Sequence, residues 1–128
     1  MPAELVNLSA DLRLRVAVIV EAVASCYKMR PSDLSSRTRS ARVSEARHVA
    51  MYVLRDQLQM SCVDIARVFG RKDHCTVLYA CKKIHAWIVG DAQFRAQWPR
   101  IVKSVIAARM AAENGLRLRM TVDEKGEK

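Results

Sequence analysis

The sequence predicts an all-α fold: a compact helical domain that contains a helix-turn-helix, with a long N-terminal helix and a C-terminal tail. The composition favours helices, because glycine (4), proline (3) and aromatic residues (5%) are scarce among the 128 residues. Apolar residues recur at steps of three and four, which is the spacing of one helix face. In the middle of the chain, a short helical segment, a turn with glycine and a longer helical segment follow one another.

The length suits one domain of ordinary size, and a hydrophobic content of 51% is enough to form a core. We assign residues 1–112 to the helical domain and residues 113–128 to a C-terminal tail or arm. No segment approaches the ~20 uncharged apolar residues of a transmembrane helix. Residues 1–4 lack the basic start of a signal peptide. We therefore expect a cytoplasmic protein.

The N-terminal part predicts one long helix capped by Ser9, because its apolar residues fall on one helical face. That face consists of Leu12, Val16, Ile19, Val20, Val23 and Tyr27. A single helical turn is expected at residues 31–34, with Ser32 as its cap. Residues 35–42 lack apolar periodicity and carry three arginines among small hydroxyl side chains. They predict a basic loop, which either lies along a groove or a phosphate backbone or is a mobile surface loop.

A second long helix is expected from about residue 44 to residue 58, with Arg47 and Arg55 two turns apart on neighbouring outer positions. A short helix follows, and Ser61 is suited to cap it. Gly70 stands where a left-handed C-cap would end this short helix. Together with the next helix, these segments predict the helix-turn-helix.

Asp73 is expected to cap a helix that runs from His74 to about Val89. Its predicted inner face consists of Val77, Leu78, Cys81, Ile84 and Ile88. A last helical segment begins at Asp91, and Pro99 should break it, kink it or begin a fresh helix. Residues 116–122 alternate in polarity like a strand, and we treat them as an arm whose state the sequence leaves open.

The net charge of +9 is concentrated in one part of the chain. Residues 28–83 carry twelve basic and five acidic residues, a net charge of +7. A local excess of this size favours polyanions, with nucleic acid as the first candidate and an anionic membrane as the second. The alternative is a solvated basic surface that maintains solubility. Because the basic residues surround a predicted helix-turn-helix, we favour double-stranded DNA over a membrane.

Metal, cofactor and enzyme sites are not indicated. The four cysteines form no C-x-x-C pair, and the histidines do not flank them at zinc-finger spacing. The sequence has no phosphate-binding glycine-rich loop. Asp73 and His74 are the only clustered titratable groups, and they form no set of nucleophile, base and orienting group. We therefore expect no metal, no cofactor and no enzymatic activity.

Residues 72–76 place groups that can read base edges at the start of the second helix of the helix-turn-helix. Asp73 can accept from the amino group of cytosine or adenine, and His74 can donate to guanine. The methyl group of Thr76 can pack on a thymine methyl. The alternative is that Asp73 is only a helix cap and His74 only an exposed residue of the first turn.

The run from Phe69 to Ile84 resembles a family signature in which Gly, Arg or Lys, Asp, His, Ser or Thr, Thr and Val precede a Lys-Ile pair. With the pieces at Tyr27-Lys28, Ser32-Asp33-Leu34 and Arg47-His48-Val49-Ala50-Met51, it resembles the C-terminal DNA-binding domain of the bacterial replication initiator DnaA. The resemblance covers residues 13–107. It implies that one copy of the domain binds a short, asymmetric, A·T-rich DNA box.

The resemblance also implies roles for individual residues. Arg39 matches an arginine that enters the minor groove, and the positions that match major-groove base readers are Asp73, His74, Cys75 and Thr76. The predicted contacts to the DNA backbone are Arg37, Arg42, Arg47, His48, Arg55, Val63 and Lys72. Arg47 and Arg55 match basic residues that bind phosphates, Lys72 matches the basic position of the turn, and Val63 opens the first helix of the helix-turn-helix.

The sequence departs from the family at four of these positions or their neighbours. Cys75 replaces the usual Ser or Thr, so a hydroxyl contact becomes a weaker thiol contact. Ala41 and Glu45 stand where basic residues are common, and Tyr79 replaces the common His. The affinity for the standard box is therefore expected to be weaker or altered. The nucleotide-binding AAA+ module and the N-terminal interaction domain of the family have no counterpart in these 128 residues, so we expect no ATP hydrolysis.

Two functions follow from these observations. The first is sequence-specific binding of double-stranded DNA at DnaA-box-like sites by a stand-alone, nucleoid-associated protein that modulates replication initiation or transcription. The alternative is a protein-interaction adaptor that binds the initiator or its regulators and binds DNA weakly or non-specifically. The sequence leaves open the oligomeric state and whether initiation is activated or repressed.

Overall fold

The structure is a computed structural model that describes the backbone of residues 9–38 and 40–126 and the side chains of these residues as far as Gly115. Within these residues the chain forms helices and no strand, which confirms the predicted all-α fold. The helices are α1 (Ala10–Cys26), α2 (Pro31–Leu34), α3 (Ala41–Leu58), α4 (Cys62–Val68), α5 (Cys75–Gly90) and α6 (Ala92–Gly126). None of the helices in the described part of the chain is long and apolar enough to span a bilayer.

Helix α1 begins and ends with defined backbone caps. The Ser9 hydroxyl accepts a hydrogen bond from the amide of Leu12 at 3.1 Å, which confirms Ser9 as the N-cap. At the other end Lys28 adopts a left-handed conformation (φ 57°), and the amide of Met29 donates to the carbonyl of Ala24 at 3.0 Å. The chain therefore turns sharply after α1 and enters α2.

The helices share one hydrophobic core. Helix α1 packs against α3 and α6, α5 packs against α3 and α6, and the short α4 packs against α3 and α5. The largest fully buried side chains come from most of these helices and include Ile19, Leu34, Met51, Leu54, Ile65, Phe69, Ile84 and Val105. Burying each such side chain stabilises the fold by about 1.5–3 kcal/mol. This core holds α3, α4 and α5 in a fixed relation to one another.

Helices α2 and α3 begin earlier than the sequence predicts. Pro31 is the first residue of α2, and the Asp33 carboxylate accepts from the amide of Arg30 at 3.0 Å, so the prediction of Ser32 as the cap is wrong. Proline suits the first helical position because it has a fixed φ and no amide hydrogen to satisfy. Helix α3 begins at Ala41 rather than near residue 44, which places Arg42 on a helix and shortens the basic loop.

Helix α5 buries a different set of residues from the one predicted. Leu78 is 39% exposed, whereas Ala80 is fully buried between Val77 and Ile84. These buried residues follow steps of three and four, and Leu78 lies outside their line. The helix begins at Cys75 with His74 as its N-cap, so the prediction that Asp73 caps a helix starting at His74 is one residue early. The Asp73 carboxylate still accepts a hydrogen bond from the amide of Cys75, the first residue of the helix.

Helix α6 runs from Ala92 to Gly126 without interruption. Pro99 lies inside it, so the expectation that a helix ends or restarts there is wrong. The sequence leaves the state of residues 116–122 open, and the structure shows that their backbone is helical and extends a helix that has already been nucleated. Helix α6 continues across residues 112 and 113, and the division into a domain and a tail stays a prediction.

Candidate nucleic-acid interface

The turn between α4 and α5 is closed by backbone hydrogen bonds and by one buried aromatic ring. Phe69 is fully buried below the turn, and Gly70 has a φ of +67°, which confirms the predicted left-handed C-cap. The amide of Arg71 donates to the carbonyl of Ala66 at 2.8 Å. These contacts fix the direction in which the chain leaves α4 and therefore the position of the first turn of α5.

The predicted base-reading residues lie together at the start of α5. Asp73, His74 and Cys75 are exposed, and Thr76 is half-buried behind them. The Asp73 carboxylate accepts from the amide of Cys75 at 2.8 Å. This bond lowers the pKa of Asp73, and the carboxylate in turn raises the pKa of the Cys75 thiol. The surface therefore presents an ionised acceptor beside a protonated thiol.

Two arginines join the basic loop to the helix-turn-helix. Arg47 is only 7% exposed, and its Nε and Nη2 donate to the carbonyls of Leu34 and Ser36 at 2.6 and 2.8 Å. Arg71 donates through Nη2 to the same carbonyl of Ser36 at 3.0 Å, and through Nη1 to the carbonyl of Phe69 at 2.9 Å. The Ser36 carbonyl thus accepts from two guanidinium groups, which tie the start of the loop to the turn.

Arg47 therefore does not project outward as the sequence predicts. The short helix α2 and the start of the loop cover its side chain, and burial, together with the charge of Arg71, lowers its pKa. The helical period gives the direction of a side chain on its own helix but not which other segment covers it. The buried guanidinium of Arg47 holds the start of the loop and is not exposed for a direct contact to a phosphate.

Arg42 and Glu45 connect the start of α3 to the end of α1. Arg42 donates through Nη2 and Nε to the carbonyl of Tyr27 at 2.6 and 3.2 Å. The Tyr27 hydroxyl donates to the Glu45 carboxylate at 2.6 Å, and burial together with this carboxylate raises the pKa of Tyr27. The acidic residue at a position where the family often has a basic one therefore holds two helices together.

His48 lies half-buried between α3 and α5 in a neutral state near pH 7. Its ring meets the ring of Tyr79 edge-on, with 5.9 Å between the centroids. Burial, together with the charges of Lys83 and Arg47, lowers its pKa to about 4. The contact to the DNA backbone predicted for His48 would thus be made by an uncharged imidazole.

The remaining predicted backbone contacts are exposed. Arg55 extends from α3 to the start of α4, where its Nη1 donates to the Sγ of Cys62 at 2.7 Å, next to the exposed Val63. Lys72 is exposed in the turn, and Arg37 is exposed on the part of the loop that follows Ser36. Arg39 lies outside the described residues, so its predicted entry into the minor groove stays a prediction.

Two lysines of α5, Lys82 and Lys83, lie near the predicted contact residues, and sequence reasoning did not assign a role to either. Lys83 lies over the rings of Trp87 and Tyr79, with its ammonium 4.9 and 5.8 Å from the two centroids. Lys82 and Arg55 line a cleft between α3, the connection that follows α3, and α5. The spacing could have revealed Lys83, because Thr76, Tyr79 and Lys83 follow steps of three and four on one helix face.

The described part of the chain brings no three His, Cys, Asp or Glu side chains together in a metal-binding arrangement. What it does bring together is a mostly exposed surface around the first turn of α5, on which basic side chains lie beside an acidic and two neutral polar ones. We call this surface the recognition surface and define it by Arg55, Lys72, Asp73, His74, Cys75 and Thr76. Its chemistry suits the phosphates and base edges of nucleic acid.

The family model described as "Bacterial dnaA protein helix-turn-helix" matches residues 16–84, more than half of the chain. The chain belongs to this DnaA family. The match includes α3, α4 and the recognition surface, and it confirms the resemblance that the sequence motifs indicate. The matched DnaA domain is a DNA-binding helix-turn-helix domain and not a catalytic one.

Known DnaA proteins and a solved structure agree with this assignment. Chromosomal replication initiator proteins DnaA from Chloroflexus aurantiacus and Roseiflexus castenholzii are each 36% identical over 95 residues, which is 74% of this chain and 20% of the relative. A crystal structure of a DNA replication initiation factor superposes with a TM-score of 0.65 at 35% identity, over 73% of this chain and 29% of that one. The chain thus spans about a fifth of the length of these DnaA relatives.

Proposed function

We propose that this chain binds double-stranded DNA at DnaA-box-like sites through the recognition surface and thereby modulates replication initiation or transcription at the nucleoid. Membership of the DnaA helix-turn-helix family supports the binding of double-stranded DNA. The finer proposal is supported most by one observation. Asp73, His74 and Cys75 are exposed together at the start of α5, on a turn that backbone hydrogen bonds hold in place.

The proposed contacts divide into two groups. Asp73, His74, Cys75 and Thr76 read base edges in the major groove, where each good contact discriminates by about 1–3 kcal/mol. Basic side chains around them bind phosphates and set the register without reading the sequence. Arg55 and Lys72 belong to this second group, because both are exposed beside the first turn of α5 and carry charges that no acidic group in the described part of the chain pairs with in a salt bridge.

The rigid attachment of the loop supports a further contact. The Ser36 carbonyl accepts hydrogen bonds from Arg47 and Arg71. These bonds hold the start of the loop next to the turn of the helix-turn-helix. Arg37 follows Ser36 directly and is exposed. We propose that Arg37 contacts the DNA backbone and that Arg39 enters the minor groove, while Arg47 and Arg71 act by holding the loop.

The test compares the affinity for a duplex that contains a DnaA box with the affinity for a scrambled duplex of the same composition, at one salt concentration. We expect the box duplex to bind at least about tenfold more tightly, because several base contacts of about 1–3 kcal/mol each are lost on the scrambled one. Equal affinities for the two duplexes would contradict specific reading of the box.

Three alanine variants separate the two groups of contacts. His74→Ala should reduce the preference for the box while it leaves the affinity for scrambled DNA nearly unchanged. Arg55→Ala should weaken the binding of both duplexes by a similar factor, because phosphates are the same in every sequence. Arg100→Ala removes the same charge from an exposed position on α6, outside the helix-turn-helix, and is the matched control.

The alternative function, an adaptor that binds the initiator or its regulators, predicts the opposite pattern. Box and scrambled duplexes would then bind equally and weakly, and the initiator would be captured by the chain after nuclease treatment. The protonated Cys75 thiol, a weaker donor than the usual hydroxyl, favours this alternative. A genome-wide occupancy map in the native cell would decide between the two functions, since only the proposed one places the chain on boxes.

A further inference from the structure

Helix α6 carries an apolar strip that begins at the edge of the core, where Trp98 is half-buried against the rings of Phe94 and Tyr52, and continues onto the exposed surface. Trp98, Val102, Ile106 and Met110 follow one another at steps of four, and they line a shallow surface groove of about 530 Å³. Ile106 is 43% exposed and Met110 is 58% exposed. A row of large apolar side chains at helical spacing on a surface indicates a site of helix packing. We call this row the α6 strip.

Two exposed charges of opposite sign stand at the two ends of the α6 strip. Arg95 precedes it and Glu113 follows it, about five helical turns later. With about 100° of rotation per residue, Arg95 and Glu113 point in the same direction, between the directions of Val102 and Ile106. Arg95 gives one of its hydrogen bonds to the carbonyl of Val89 at 3.1 Å, and its guanidinium keeps further donors.

These positions form pairs that are symmetric about residue 104, namely 98 with 110, 102 with 106 and 95 with 113. We propose that a second copy of this chain docks on the α6 strip in antiparallel orientation. Trp98 then faces Met110 of the second copy, Val102 faces Ile106, and Arg95 faces Glu113. A two-fold axis repeats every one of these contacts, as a symmetric dimer interface requires.

The charges favour this occupant over others. A parallel second copy would place Arg95 against Arg95 and Glu113 against Glu113, and like charges repel. An anionic membrane or a uniformly acidic segment would meet the Glu113 carboxylate at one end of the strip. The antiparallel copy neutralises both ends. Lys103 is exposed at the edge of the strip, where its aliphatic stem can cover apolar surface while its ammonium stays in water.

The size of the contact sets the expected affinity. The segment from Arg95 to Glu113 is about 27 Å long, at about 1.5 Å per residue. A helix pair of this length buries several hundred square ångströms per copy, which is less than the ~800 Å² per partner of a standard interface. We therefore expect a reversible dimer with a dissociation constant on the order of 10 µM.

Sedimentation velocity of the chain over a range of about 1–200 µM tests the proposal, since a dimer of this affinity forms within that range. We expect the weight-average mass to rise from that of a monomer towards that of a dimer. Ile106→Glu should abolish this rise, because it places two carboxylates in the apolar contact. A chain that remains monomeric at the highest concentration would overturn the proposal.

A charge exchange tests the antiparallel orientation. Arg95→Glu and Glu113→Arg should each weaken dimerisation about tenfold or more, and the double variant, which restores opposite charges, should recover it. Arg100→Glu makes the same change of charge as Arg95→Glu outside the strip and should dimerise like the unchanged chain. The thermal unfolding midpoint of each variant checks that it is folded. Failure of the folded double variant to recover dimerisation would overturn the antiparallel pairing.

This experiment is independent of DNA binding. Arg95, Ile106 and Glu113 all lie outside the recognition surface. A monomeric Ile106→Glu variant should therefore still bind a duplex with one box. Loss of dimerisation with retained box binding would therefore leave the proposed function intact. Loss of box preference in a chain that still dimerises would affect the proposed function alone.

Discussion

At the scale of single residues, the most informative side chain is the buried guanidinium of Arg47. Its Nε and Nη2 donate to the carbonyls of Leu34 and Ser36. These carbonyls lie at the end of α2 and the start of the loop, where no amide of a following helical turn is available as a donor. A buried carbonyl that loses its donor costs about 1–3 kcal/mol. Arg47 therefore stabilises the fold and positions the basic loop at once.

Arg47→Met should lower the free energy of unfolding by about 2–3 kcal/mol, since it keeps the apolar stem but removes both donors. The Ser36 carbonyl retains Arg71, so the loss should be smaller than for two fully orphaned carbonyls. Urea denaturation measures the change. Arg100→Met, at an exposed position on α6, should stay within about 0.5 kcal/mol of the unchanged chain. Equal effects of the two variants would show that the buried bonds contribute little.

His48 should make the stability of the chain depend on pH. Its pKa is about 4 in the folded chain and 6.5 in the reference state, so the unfolded chain binds a proton first as the pH falls. The contribution of neutral His48 is fully present above pH 6.5 and is lost progressively between pH 6.5 and about pH 4. We expect the thermal unfolding midpoint to decrease as the pH is lowered from 6.5 to about 4. This decrease should be smaller in the His48→Gln variant. A variant with an unchanged pH profile would contradict this origin.

At the scale of elements, the turn between α4 and α5 depends on the backbone conformation of one glycine. A Cβ built on Gly70 would meet no heavy atom within 4 Å, so steric contact with neighbours does not restrict this position. Its φ of +67° does, because L side chains rarely adopt this region. The position of the recognition surface thus depends on a conformation rather than on a contact.

Gly70→Ala should therefore destabilise the chain by about 1–2 kcal/mol through backbone strain alone. Gly90 is the matched control: it ends α5 with a helical backbone and also has no heavy atom within 4 Å of a built Cβ. Gly90→Ala should be neutral or stabilise by up to about 1 kcal/mol. Chemical denaturation of both variants measures the difference, and a Gly70→Ala variant as stable as Gly90→Ala would exclude strain as the cause.

At the scale of the whole molecule, the net charge of +9 and its concentration in residues 28–83 lead us to expect DNA binding whose affinity depends on the salt concentration. Phosphate contacts release counterions, so the affinity falls as the salt concentration rises. Arg47 does not contribute to this salt dependence, because its guanidinium is buried and hydrogen-bonded within the fold. Arg55, Lys72 and Arg37 keep exposed charges.

With about six phosphates contacted, the logarithm of the binding constant should fall with the logarithm of the salt concentration with a slope of about −5. Lys72→Ala should make this slope shallower by about 1, because one phosphate contact is lost. Titrations of a box duplex at several salt concentrations measure both slopes. A slope near zero would show that phosphate contacts do not drive binding.

The sequence by itself determined the all-α fold, the caps at Ser9 and Ser61, the left-handed Gly70 and the DnaA family, because these depend on helical periodicity, local hydrogen bonds and short motifs. Only the tertiary structure decided that Arg47 is buried, because α2 and the start of the loop, both more than ten residues away in sequence, cover it. The burial of a side chain and the pKa of His48 depend on which segments pack around them, and the periodicity of one helix does not contain that information.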